Sequence, residues 1–196
     1  MRIGICGAES TGKSTLARAL STRLGLELIS EQARYVAKEL GITDLNEGYP
    51  RELLEEFQWR CLEAQIGVES RHEDFISDRT VIDNLSYWLV DHGTARYTDT
   101  INYWERVRNY LSRRPYDLII YARPDGVPFE VDGFRHNDPD HRGAIDCMLQ
   151  ALLAWAQQVS PSIYVMKVHG CTPKRIEQVS EVVEYLMDSS KLTATV

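Results

Sequence analysis

Residues 7–15 read Gly7-Ala8-Glu9-Ser10-Thr11-Gly12-Lys13-Ser14-Thr15. They fit the pattern G-x-x-x-x-G-K-[ST]. A short apolar run, residues 2–6, precedes them, and a helical pattern follows from Leu16 to about Leu24. Strand, glycine loop and helix in that order are the context that such a motif requires. The glycines let the backbone curl so that successive N–H groups point at phosphate oxygens. The start of the helix adds unpaired donors and a partial positive charge. On this reading Gly7, Glu9, Ser10, Thr11, Gly12, Lys13, Ser14 and Thr15 hold a nucleoside triphosphate. Lys13 reaches the β- and γ-phosphates, and the Ser14 hydroxyl ligates Mg²⁺. ATP with Mg²⁺ is the expected ligand pair.

Outward from this loop, apolar runs and helical periods alternate. Strands are expected at residues 26–30, 74–78, 116–122 and 162–168. Helices are expected at 31–40, 51–71, 81–92, 100–113, 143–159 and 173–187. Such alternation defines an α/β fold: a five-stranded parallel sheet with helices on both faces, built of right-handed crossovers. Residues 1–187 read as a single domain and 188–196 as a flexible tail. Residues 123–142 have no apolar period and many turn formers, and so read as a lid segment.

The bulk numbers narrow the function. A chain of 196 residues suits one domain with a full core. A net charge of −7 argues against nucleic acid or an anionic membrane as the main partner, since both call for a basic face. Four scattered cysteines, Cys6, Cys61, Cys147 and Cys171, form no C-x-x-C pair and read as reduced, mostly buried thiols of a cytoplasmic protein. No apolar run reaches the length of a membrane span, and the amino terminus enters a strand directly, which leaves no room for a signal peptide.

Ligands of such sheets collect at the carboxyl ends of the strands, so the residues there are the candidates. Asp78 ends the third strand, where an acid faces Mg²⁺; the alternative is an N-cap for the next helix. Arg79 beside it binds substrate or phosphate, or else lies on the surface. Glu31 ends the second strand and is placed to accept the proton of an acceptor hydroxyl, or else is an acid at a helix start. Arg34, one turn on, reaches the same acceptor. Arg123, Arg135 and Arg142 of the lid segment supply cations to the triphosphate. The loop near Thr172 and Pro173 lies at the end of the last strand. A metal site in the Asp- and His-containing lid is not expected, because no metal-ligand spacing is present. The four tryptophans, Trp59, Trp88, Trp104 and Trp155, fall on helices and are read as core rather than as base-stacking platforms.

Four stretches together resemble the P-loop kinases of nucleosides and nucleotides: GAESTGKST at 7–15, SEQARYVAKEL at 30–40, ISDRTVIDNLSYW at 76–88 and VPFEVDGFRHNDPDHR at 127–142. The likeness is greatest to the ribosylnicotinamide kinase domain of NadR-type proteins and related small AAA-labelled ATPases. It implies a P-loop NTPase fold and ATP- and Mg²⁺-dependent transfer of the γ-phosphoryl group. The implied acceptor is a hydroxyl of a nucleoside-like small molecule (ribosylnicotinamide or a deoxynucleoside) or a nucleoside monophosphate. The deoxynucleoside kinases are similar in a looser way, and that likeness implies an acceptor site at Glu31, Arg34, Phe57, Gln58 and Arg79. Lys13, Glu31, Asp78, Arg79 and Arg135 are then the catalytic set, Ser14 and Asp78 the metal pair, and Arg123, Thr172 and Pro173 nucleotide contacts. Gln32 stands where that group has proline, and Asp78 and Thr80 where it has Glu and Ser. A kinase acting on a hydroxyl within nucleic acid and a regulatory NTP-binding module are the alternatives. The sequence does not set the oligomeric state.

Overall fold

In the computed structural model of the chain, residues 1–93, 96–124, 127–128, 133–134 and 138–193 are described, with side chains through Asp188. Five strands form one parallel sheet: β1 (Arg2–Cys6), β2 (Glu27–Ile29), β3 (Phe75–Asp78), β4 (Leu118–Ala122) and β5 (Tyr164–Val168). Their order is β2-β3-β1-β4-β5. The first strand of the chain is therefore the central one. It pairs with β3 on one side (Ile5 opposite Asp78) and with β4 on the other (Cys6 opposite Tyr121). This register brings the loop after β1, the end of β3 and the end of β4 to one edge of the sheet.

The seven helices described are α1 (Lys13–Leu24), α2 (Ala33–Leu40), α3 (Arg51–Glu69), α4 (Val81–Asp91), α5 (Tyr97–Arg113), α6 (Pro139–Val159) and α7 (Thr172–Thr193). Because successive strand residues point to opposite faces, β1 divides its side chains between two cores. Ile3 and Ile5 pack with Leu16, Leu20, Val179 and Val183 of α1 and α7. Cys6 on the other face joins Leu62, Leu85, Val107 and Leu149 of α3, α4, α5 and α6. All five residues of β4 are buried, as expected of a strand covered on both faces. A third, smaller cluster joins Val36 and Ala37 of α2 to Phe57, Cys61 and Phe134. It lies beyond the sheet and forms part of the site described below.

Several sequence boundaries need correction; α5, for one, begins at Tyr97 rather than at residue 100. Helix α6 begins at Pro139, with the Asp138 side chain accepting from the Asp140 N–H, so Pro139–Arg142 belong to a helix rather than to the loop. The cause is an N-cap followed by proline at the first helical position, a strong start signal. Helix α7 continues to Thr193, into the segment read as a tail. Helix α2 begins at Ala33 behind Gln32, which leaves Glu31 outside it. The cysteines divide evenly: Cys6 and Cys61 are buried, Cys147 and Cys171 exposed, and all four are free. Trp88 is fully buried and stacks on Tyr103, while Trp59, Trp104 and Trp155 pack half-buried against the larger core.

The tightest point of the fold is Gly7. Its φ is +151°, and a Cβ there would lie 2.4 Å from the Ala122 carbonyl oxygen of β4. Gly7→Ala therefore adds backbone strain to a collision with fixed backbone, each costing on the order of 1–3 kcal/mol. A loss of at least about 2 kcal/mol is expected from the denaturant midpoint. Gly25→Ala, at φ +68° with nothing within 4 Å, should cost only about 1 kcal/mol.

Candidate active site

Helix α1 has no side chain capping it. Its N-cap is Gly12 at φ +77°, and the preceding Ser10 is also left-handed at φ +54°. These turns shape the loop into a concave run of backbone N–H groups, the form that favours phosphate. The Lys13 ammonium folds over the loop, 2.5 Å from the Ala8 carbonyl and 3.3 Å from Thr11 Oγ1. From the far side Arg175 of α7 donates to the Thr11 carbonyl at 2.6 Å and is itself buried. Burial lowers the pKa of that guanidinium. Sequence reading placed Thr172 and Pro173 near the nucleotide; they open α7 and bring Arg175 onto the loop.

Arg79 is the centre of the site. It has φ +104°, unusual for a residue with a side chain, and is 6% exposed. Its Nε donates to Glu31 Oε1 at 3.0 Å. Its Nη1 donates to the Gly7 carbonyl at 3.1 Å and to Asp83 Oδ1 at 3.3 Å. The guanidinium also lies over the Tyr87 ring, 5.2 Å from its centroid. Burial opposes its charge, but Tyr87, Glu31 and Asp83 outweigh that and push its pKa up. It is not a surface arginine.

Asp83 repeats the tie from the other end. It accepts from the Gly7 N–H at 3.1 Å and from Thr80 N and Oγ1 at 2.9 and 2.7 Å. Thr80 in turn caps α4, accepting from Ile82 N and Asp83 N, a reciprocal capping box. This settles the alternative for Asp78: the cap of α4 is Thr80, and Asp78 stands free of that duty, 6% exposed. Asp78, Ser14, Glu31, Arg34 and Arg18 line one recess beside the loop. Two oxygen donors, the Ser14 hydroxyl and the Asp78 carboxylate, meet there. Mg²⁺ suits such a partial ligand set, since it keeps waters and phosphate oxygens in its remaining positions.

On the other side of Glu31 lies a cavity of about 250 Å³. Its walls are Phe57, Gln58, Cys61 and Gln65 of α3, Asn84, Tyr87 and Asp91 of α4, Glu9 of the loop, and Phe134. Phe57 and Gln58, which the resemblance implies as acceptor contacts, are two of these walls. Arg34 lines the recess with Ser14 and Asp78, 4.0 Å from Glu31 Oε2 and with its guanidinium 5.0 Å from the centroid of the Phe134 ring. The buried amide nitrogen of Asn84 has no hydrogen-bond partner among the described residues. Gln65 links the cavity to a deeper network: its amide donates to Ser77 Oγ and to Glu69, which also accepts from Tyr110 and Tyr116. Burial raises the pKa of Glu69, against those hydrogen bonds.

The segment 123–142 is described in part. Arg142 is buried and donates to the Val127 carbonyl at 3.3 Å, and Phe134 accepts from the Leu45 N–H at 2.8 Å. Arg123 follows β4 and is half-buried. Arg135 lies outside the described residues. Sequence reading missed Asp83, Asn84, Tyr87, Asp91, His141 and Arg175. Only Asp83 carried a local signal, as the fourth residue of Thr80-Val81-Ile82-Asp83.

Parallel order, glycine loop, buried lysine and an acid at the end of β3 together define the fold of a P-loop kinase. A family profile described as an AAA domain matches residues 2–160, and the chain belongs to that family. Deoxyadenosine kinase from M. mycoides with bound dATP is similar in structure, with a TM-score of 0.63 at 20% identity, covering 94% of this chain and 99% of that one. Thymidylate kinase from Candida albicans gives 0.62 at 20%, covering 93% and 90%. The NadR protein in complex with NR gives 0.68 at 22%; 91% of this chain corresponds to half of that one. No curated protein matches the sequence. No helix among the described residues is long and apolar enough to cross a membrane.

Two stability outcomes follow from this geometry. Arg79→Gln leaves Glu31 and Asp83 without their buried cation and should cost about 3–5 kcal/mol in chemical denaturation, the usual loss for half of a buried pair. His141 lies between two carboxylates, which against burial raise its pKa to about 9. A group raised from about 6.5 stabilises the fold fully below that pH, and the gain is lost as pH rises through about 9. Melting curves of wild type and His141→Gln should therefore differ most near pH 6 and converge by pH 10.

Proposed function

We propose that this protein transfers the γ-phosphoryl group of Mg·ATP to a hydroxyl of a nucleoside-like small molecule. One observation carries the reading: beside the phosphate loop, across Glu31, lies a cleft of about 250 Å³ with aromatic walls and amide groups. Phe57, Tyr87 and Phe134 suit a flat base, and Gln58 and Asn84 suit its polar edge. A protein that only hydrolysed ATP would have no use for such a cavity. The ligands bound in similar folds, NR in NadR and dATP in deoxyadenosine kinase, support the same class.

The charge of the walls favours a nucleoside over a nucleoside monophosphate. Of the charged walls, Glu31 is paired with Arg79, and Glu9 and Asp91 share the single His141 ring, so the acids keep a small excess among the described residues. His92 does not offset this, because burial lowers its pKa. A neutral acceptor enters without penalty, and a ribosylated pyridinium such as ribosylnicotinamide, itself cationic, gains from the acids. A phosphate monoester would meet like charge.

Within this reading each residue has a defined task. Loop N–H groups and Lys13 hold the phosphates and stabilise charge on the transferring group. Bound at Ser14 and Asp78, Mg²⁺ would neutralise charge on the phosphate oxygens. Arg79 fixes the orientation of Glu31. Glu31 accepts the proton of the attacking hydroxyl as the new O–P bond forms, and the β–γ bridge oxygen leaves on ADP. Arg123 and Arg135 complete the cationic surround. The protein is taken to act in the cytoplasm as a single domain on a small acceptor.

Two variants test the assignment. Glu31→Gln should lower acceptor-stimulated turnover by roughly 10²–10⁴-fold while acceptor-free hydrolysis barely moves. A parallel fall of both rates, or none, would remove Glu31 from the base role. Asp78→Asn should raise the MgCl₂ concentration needed for half-maximal rate more than it weakens metal-free nucleotide binding. Labelled ATP presented with nucleosides, nucleoside monophosphates and oligonucleotides identifies the acceptor; transfer to oligonucleotides alone would overturn the small-molecule reading.

A further inference from the structure

A glutamate inside a phosphate-binding loop poses an electrostatic problem. Glu9 lies between Ala8 and Ser10 of the loop and is 2% exposed, so little water screens its charge from a triphosphate held by the neighbouring N–H groups. Among the described residues, neither carboxylate oxygen receives a well-aligned hydrogen bond. It pairs with His141 of α6, whose Nδ1 is 3.3 Å from Glu9 Oε1. The other ring nitrogen of His141, Nε2, is 2.7 Å from Asp91 Oδ1 at the end of α4. Three segments distant in sequence thus meet through one imidazole.

We infer that His141 is a positioning residue of the phosphate site: bridging Glu9 and Asp91 as an imidazolium, it cancels the loop's own carboxylate and so lets the triphosphate bind beside it. The inference rests on the reading of the loop as a triphosphate site. With Asp91 Oδ1 2.7 Å from Nε2 and Glu9 Oε1 3.3 Å from Nδ1, the doubly protonated ring is the form in which neither nitrogen turns a lone pair toward a carboxylate oxygen. Local helix physics does not account for a cation here. His141 is in the first turn of α6, where the helix dipole favours acids such as Asp138 and Asp140 and opposes a positive charge.

The groups facing the ring agree with the assignment. The loop presents Glu9. Helix α4 presents Asp91 and the Tyr87 ring, whose centroid is 6.1 Å away, with His92 next along the chain. Arg79 lies behind Tyr87 and adds a favourable field at Glu9. Helix α6 itself carries Asp138, Asp140 and Arg142, the last turned to the Val127 carbonyl. Burial works against the charge of both partners. Even so, Glu9 is held down to about 2 and His141 up to about 9, each chiefly by the other groups of the bridge. Glu9 and Asp91 are also walls of the acceptor cavity, so the bridge fixes two of its polar surfaces.

The test uses wild type, His141→Gln, Glu9→Gln and the double variant, with calorimetric binding of a non-hydrolysable Mg·ATP analogue at pH 7. His141→Gln should weaken binding by roughly 5–150-fold, the usual size of coupling between two sites. Glu9→Gln, which removes the charge that the ring cancels, should change affinity much less than His141→Gln does. The double variant should recover most of what His141→Gln loses, because the uncompensated carboxylate is then gone. Wild-type affinity should fall as pH rises through about 9, and this limb should be absent from Glu9→Gln. A second measurement needs no change at His141: the ring proton resonance of wild type should titrate near 9 and move down in Glu9→Gln and in Asp91→Asn. Unchanged affinity in His141→Gln, no recovery in the double variant, or an ordinary His141 titration would each overturn the inference. Failure of wild type itself to bind the analogue would instead overturn the triphosphate reading beneath it.

Discussion

The buried guanidinium of Arg79 is the constraint on which the rest of this molecule depends. It bonds the carbonyl of Gly7, the carboxylate of Asp83 and the carboxylate of Glu31, and so ties the phosphate loop, the start of α4 and the end of β2 to one planar group. A buried cation is expensive unless every donor is matched. Here two carboxylates and a carbonyl match it, and an aromatic face covers it. The strained φ of Arg79 reflects that requirement: the chain leaves β3 through the left-handed region so that Asp78 points to one recess while the next side chain returns beneath the loop.

From that centre the site divides by charge. On one side, Ser14 and Asp78 offer hard oxygen donors next to the loop. On the other, a cleft offers aromatic faces and amides with an acidic cast. Glu31 lines both spaces and is held by Arg79. A carboxylate at a boundary between a phosphate site and a hydroxyl site is where phosphoryl transfer needs an acceptor for the proton. The same physics recurs at Glu9, which pairs with the His141 ring.

Support for the cavity floor comes from below the sheet edge. Gln65, Glu69, Tyr110 and Tyr116 form a buried polar network, and Tyr116 also receives the Val81 N–H at the start of α4. A fully satisfied network of this kind fixes one arrangement of its members. It therefore sets where α3 and α4, which carry most of the cavity walls, stand relative to each other.

Much of the architecture could be read from residues in order. The glycine loop between an apolar run and a helical period announces a phosphate site because its chemistry is local: backbone curvature, a helix start, one lysine and one hydroxyl within nine residues. The five strands followed from apolar runs such as that at 116–122, and the positions of Glu31, Asp78 and Arg79 from the rule that ligands gather at carboxyl ends of strands. What the sequence could not supply was which partners those side chains meet. Arg79 could equally have faced solvent, and Asp78 could have capped α4, until the packing of Thr80 and Asp83 against Gly7 decided both. His141 and Arg175 gave no signal, because their meaning comes from Glu9 and Thr11, more than 130 residues away in sequence. Strand order is the physical reason: with β1 at the centre of the sheet, segments far apart in the chain converge on the loop that follows it, and only the folded sheet makes them neighbours.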